Sequence, residues 1–114
     1  PEDNVLQNVM QLMDHPSFNF NNPNRVRSLI GAFAGQNLKA FHAIDGSGYR
    51  FLTDILIKLN KSNPQVASRL IEPLIRFARY DAQRQTLMKR ALERISETED
   101  LSRDLFEKIE KALQ

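Results

Sequence analysis

Apolar residues recur at steps of three and four along almost the whole chain, and the every-second-residue alternation of a half-buried strand is missing. That pattern selects helices throughout. The punctuation then divides the chain. A first helix is expected over residues 4–14, with Leu6, Val9, Met10 and Met13 on one stripe, stopping near His15 because Pro16 disfavours helical geometry in the residue before it. In the polar loop 17–22, Phe18 and Phe20 are expected to pin the chain to the core. Asn22 is a good N-cap, and Pro23 occupies the first helical position, where a missing N–H costs nothing. Val26, Leu29, Ile30 and Phe33 follow as a buried stripe. A short helix over 38–43 leads into the turn Asp45, Gly46, Ser47, Gly48, and the next helix is expected over 49–60 with Leu52, Ile55, Leu56 and Leu59 inward.

The start signal then repeats, with Asn63 as cap and Pro64 behind it. The helix it opens is expected to run over 64–79, kinked rather than ended by Pro73. Val66, Ala67, Leu70, Ile71, Leu74, Ile75 and Ala78 cover more than half its circumference, which marks it as the central helix. Asp81 caps a further helix with Leu87, Ala91, Leu92 and Ile95 inward. Ser102 opens the last, where Leu101 and Phe106 are placed as a hydrophobic staple and Ile109, Ala112 and Leu113 complete the stripe.

Asn22, Pro23, Leu29 and Ile30 return 41 residues later as Asn63, Pro64, Leu70 and Ile71. Helix-pair repeats of the HEAT and armadillo kind have periods of about 40 to 47 residues. The fold expected is therefore all-α: stacked antiparallel helix pairs in a right-handed superhelical array of about seven helices, rather than a closed bundle.

Composition narrows the function. Sixteen Lys and Arg against fourteen Asp and Glu leave a net charge of +2, with acids interrupting the bases, so nucleic-acid binding is not expected. No apolar run reaches the roughly 18 residues of a membrane span, and the start Pro1, Glu2, Asp3 is acidic where a secretory signal is basic. A soluble chain is expected. The absence of cysteine fits a reducing compartment, and cytoplasm is the default. Neither a zinc-binding helix motif, a serine triad nor a phosphate-binding loop is present. His15 and His42 read as capping or loop-packing groups rather than ligands. No residue is expected to be catalytic. Arg27 shares a helical row with Gly31 and Ala34, a surface of little bulk, while Arg69, Glu72 and Arg76 share a face on which charges ordinarily neutralise one another.

The segments 22–35 (NPNRVRSLIGAFAG), 41–49 (FHAIDGSGY) and 63–75 (NPQVASRLIEPLI), followed by Arg79, Tyr80 and Asp81, resemble the carboxy-terminal domain of the bacterial aminopeptidase N family. The likeness extends from Val9 to the final residues. It implies that residues 1–114 are a single helical domain, the carboxy-terminal part of that domain in a larger zinc metallopeptidase that releases amino-terminal residues from peptides. It further implies a cytoplasmic enzyme whose zinc ligands and general base lie in upstream domains, so that this portion holds no cofactor. The partners implied are the catalytic domain of the same polypeptide and peptide substrates. By the same resemblance Arg27 and Arg69, with Arg25 as a third, line the substrate channel and hold a peptide carboxylate or carbonyl through charge-assisted hydrogen bonds. The competing reading is a free-standing helical-repeat scaffold that binds a partner's peptide in its groove.

Overall fold

The computed structural model describes residues 5–14, 22–36 and 38–114. Its elements are α1 (Val5–Asp14), α2 (Pro23–Gln36), α3 (Leu38–Phe41), α4 (Ser47–Ser62), α5 (Pro64–Leu70), α6 (Glu72–Ile75), a 3₁₀ turn (Phe77–Arg79), α7 (Ala82–Ser96) and α8 (Arg103–Leu113). With α5 and α6 taken as one broken rod, the described residues form the seven-helix array expected. His15, Phe18 and Phe20 lie outside the described residues.

The repeat is visible in side-chain chemistry. Arg84 Nε donates to the His42 carbonyl, Arg94 to Asp54, Asn60 to the Asp100 carbonyl, the Ser102 N–H to Asn60, and Lys108 to the Ser68 carbonyl. Each pair is 40 to 42 residues apart. Such a ladder arises when equivalent helices of successive repeats lie side by side, and α4 does pack on α7, while α2 packs on α5 and α5 on α8. The last three begin alike. Asn22 Oδ1 accepts from the N–H groups of Asn24 and Arg25, Asn63 Oδ1 from Val66, and Ser102 Oγ from Leu105. Each side chain satisfies donors that the first helical turn leaves without partners. The array is flat, 40 × 31 × 19 Å.

The broken rod corrects the expectation of one helix over 64–79. Pro73 has no N–H to give the carbonyl of Arg69, and Ile71 stays right-handed (φ −75°, ψ −17°) while the regular ladder lapses around it. At Arg76 (φ −88°, ψ 27°) the α-helix ends, and the chain tightens into the 3₁₀ turn. The tighter turn rotates the face, so Phe77 is buried and Ala78 is exposed.

The central place belongs to α4 as much as to α5. Gly48, Tyr49, Leu52, Thr53, Ile55, Leu56, Leu59 and Asn60 of α4 are all buried, and the helix starts at Ser47, two residues earlier than expected. Four assignments also change. Met10 is 48% exposed, Phe106 is 48% exposed while its neighbour Leu105 is fully buried, Leu113 is exposed, and Met88 joins the core from α7. The α3 helix ends at Phe41, whose ring packs edge-on against Phe33 and Tyr49.

Two glycines make the α3–α4 corner. Gly46 lies in the left-handed region (φ 79°). A Cβ on Gly48 would fall 2.2 Å from the Phe41 carbonyl oxygen, so the start of α4 can lie against the end of α3 only without a side chain there.

Candidate functional site and relatives

Arg25 and Arg27 belong to the early turns of α2, and Arg69 to the last turn of α5. Because α2 packs on α5, the fold puts all three on neighbouring helices of one row. Their settings differ. Arg27 is half-buried and donates to Asn24 Oδ1 one turn back, which fixes its guanidinium against the helix start. Arg25 and Arg69 are exposed. The charge triplet expected around Arg69 does not form, because Glu72 pairs at 2.8 Å with Lys108 of α8. That pairing leaves Arg69, among the described residues, without an acidic partner.

The row holding Arg27 is only in part the open surface expected, since Gly31 is half-buried and Ala34, 4% exposed, belongs to the core. A Cβ on Gly31 or Gly35 would meet nothing within 4 Å, so among the described residues neither glycine is required by packing. The room lies outward.

A second polar cluster gathers at the junction of α3, α4 and α7. His42 stacks on Tyr80 (centroids 4.2 Å apart) and its Nδ1 lies 2.6 Å from Tyr49 Oη. Burial, then the nearby Arg84 charge, hold the His42 imidazole below its ordinary 6.5, with Asp81 opposing them. Burial pushes the Tyr49 phenol up to about 12. Both groups are neutral near pH 7, so Tyr49 donates and His42 Nδ1 accepts, leaving the ring proton on Nε2. Arg84 ties the cluster together: Nε reaches the His42 carbonyl at 2.8 Å and Nη1 reaches Asp81 at 2.9 Å. Hollows of about 370 and 350 Å³ open beside Arg84. Sequence reasoning gave His42 a packing role, which this geometry fits, but did not find its tyrosine partners. The spacing of His42 and Tyr49 across the glycine turn was the available signal.

Among the described residues no three His, Cys, Asp or Glu side chains stand close enough to hold a metal ion. No described helix is long and apolar enough to cross a membrane. The arginines offer anion or carbonyl recognition, and the His42–Tyr49 pair offers a positioned hydrogen bond.

A family model described as a domain of unknown function (DUF3458_C) with ARM repeats matches residues 1–114. The chain is 78% identical over its whole length to aminopeptidase N of Haemophilus influenzae, and 64% identical over 99% of its length to aminopeptidase N of Escherichia coli. The chain belongs to the aminopeptidase N family, as its carboxy-terminal helical domain. It spans 13% of the length of each of those relatives, which therefore carry this array within a much longer polypeptide. Among solved structures, Legionella pneumophila aminopeptidase A in complex with aspartic acid superposes with a TM-score of 0.89 at 34% identity, over 96% of this chain and 13% of that one. The armadillo description agrees with the 40 to 42 residue ladder. Matches of this extent to one part of a long enzyme favour the domain reading over the free-standing scaffold.

Proposed function

We propose that this domain forms part of the wall of a peptidase chamber, closing over a zinc-bearing catalytic domain of the same cytoplasmic polypeptide and shaping the channel through which peptides reach it. Residues 1–114 would be the carboxy-terminal portion of that enzyme's last domain. The observation that carries the reading is the 78% identity to an aminopeptidase N along the entire chain. Zinc, its ligands and the proton-transfer groups would come from upstream. Arg27, Arg69 and Arg25 would face the channel and hold a peptide's carboxylate or backbone carbonyls. Three features support this role: the neighbouring positions of α2 and α5, the diversion of Glu72 to Lys108, and the room at Gly31 beside Arg27.

In the complete enzyme, Arg27→Ala or Arg69→Ala should lower kcat/KM for tetrapeptides by roughly tenfold, the worth of one charge-assisted hydrogen bond, while changing turnover of an alanyl anilide little. Equal losses on both substrates, or none on either, would remove these arginines from the channel. The isolated chain with added zinc should leave the anilide intact. Activity that persists through repurification would overturn the wall-building role.

A further inference from the structure

A cleft of about 260 Å³ lies between the early turns of α4 and the middle of α7, away from the α2–α5 arginines. Three guanidinium groups border it: Arg50 from α4, and Arg90 and Arg94 one turn apart on α7. Clustering like charges at this spacing works against helix stability, so it is not explained by folding. Two carboxylates act on them, Asp45 near Arg50 and Asp54 at Arg94. Asp54 pairs with Arg94, and both side chains are more than half exposed, so the pair leaves the surplus charge largely in place.

Arg50 is held in position. Its Nη1 donates at 2.9 Å to the Asp45 carbonyl, folding the guanidinium back over the Gly46 turn. A Cβ at Gly46 would come within 3.1 Å of that nitrogen, so the glycine leaves the room it occupies. Arg90 has neither an ion pair nor a hydrogen bond among the described residues. Beneath the three charges the floor is apolar, made by Leu87 and Ala91, with Thr53 beside them.

We propose that this cleft binds a small organic dicarboxylate. Guanidinium groups brought to one cleft from two helices suit two separated carboxylates better than one compact tetrahedral anion. The Leu87–Ala91 floor suits the methylene stem between them. The volume lies below the roughly 300–1,000 Å³ of pockets that take drug-sized ligands, so the ligand is a short one. This site is independent of the channel role proposed for Arg27 and Arg69.

Glutarate titrated into the chain, followed by the arginine Nε–Hε and the Leu87 and Ala91 backbone amide signals, should give saturable shifts with a dissociation constant on the order of 1 mM. Arg90→Gln should weaken binding about tenfold with an unchanged melting temperature, because Arg90 supports no contact within the fold. Arg103→Gln on α8 should leave the affinity as it was. The proposal is overturned if sodium chloride at matched ionic strength reproduces the shifts, if inorganic phosphate binds as tightly as glutarate, or if Arg90→Gln keeps full affinity.

Discussion

Asn60 shows how much one side chain holds in this molecule. Buried near the end of α4, it donates to the Asp100 carbonyl at 3.1 Å and accepts from the Ser102 N–H at 2.8 Å, and Asp100 has φ 57°, in the left-handed region. Asn60→Ala would strand both backbone groups beneath the α7–α8 connection. We expect a loss of about 2–3 kcal/mol in urea unfolding, with Asn60→Asp also destabilising because a carboxylate has no donor for Asp100. His42 carries a pH dependence whose sign is fixed by its surroundings. Its folded pKa lies below 6.5, so stability is fully present above that pH and declines as pH falls from about 6.5 toward the folded value, where the unfolded chain takes up the proton first. Carbon-detected titration of the His42 ring should give a midpoint below 6.5, and that part of the acid-side loss should vanish in His42→Phe. These two residues also mark the limit of what was legible in advance. An asparagine near a helix end and a histidine in a turn are visible in sequence, but Asp100 and Ser102 for the one, and Tyr80 and Arg84 for the other, stand on the next repeat, beyond any local pattern.

Element boundaries read well wherever the cap chemistry is local. Asn22, Asn63, Asp81 and Ser102 each accept from the backbone as their sequence context implied. The α5–α6 rod read less well, because Pro73 signals a lost hydrogen bond but not whether the chain bends or re-forms as a tighter turn. The glycines separate by the same logic. Gly48→Ala sets a methyl group against the Phe41 carbonyl at 2.2 Å, so α3 and α4 must part; a loss of about 2 kcal/mol or more in denaturant midpoint is expected. Gly31→Ala meets nothing and removes a helix-interior glycine, so the chain should gain about 0.5–1 kcal/mol. If the row beside Arg27 faces a peptide channel, that gain should be accompanied in the complete enzyme by slower turnover of long substrates. Chemical denaturation and peptide kinetics on one variant thus separate packing from access.

Across the whole molecule, stability should grade along the stack rather than switch as a block. The α2, α4 and α7 helices hold the most completely buried side chains, including Val26, Ile30, Phe33, Leu52, Leu56, Met88 and Leu92, whereas among the described side chains of α1 only Val9 is buried. Native-state hydrogen exchange should be slowest over the middle of α4 and fastest over α1, as expected when each repeat leans mainly on its neighbours. The all-helical array was readable from the three-and-four-residue spacing, and its period from two Asn-Pro pairs. The third member of the series begins with Ser102 and Arg103, where the cap survives but the proline does not, so a search for identical letters passed over it.

The double grip of Asn60 on Asp100 and Ser102 sets a gauge for the connector 97–101. Surface connectors ordinarily absorb extra residues at small cost. Here the distance from α7 to α8 is checked by a side chain from the previous repeat, so two glycines inserted after Thr98 should destabilise the chain about as much as Asn60→Ala. Combining both changes should add little to either alone. The stretch that looks most disposable is the one whose length cannot drift.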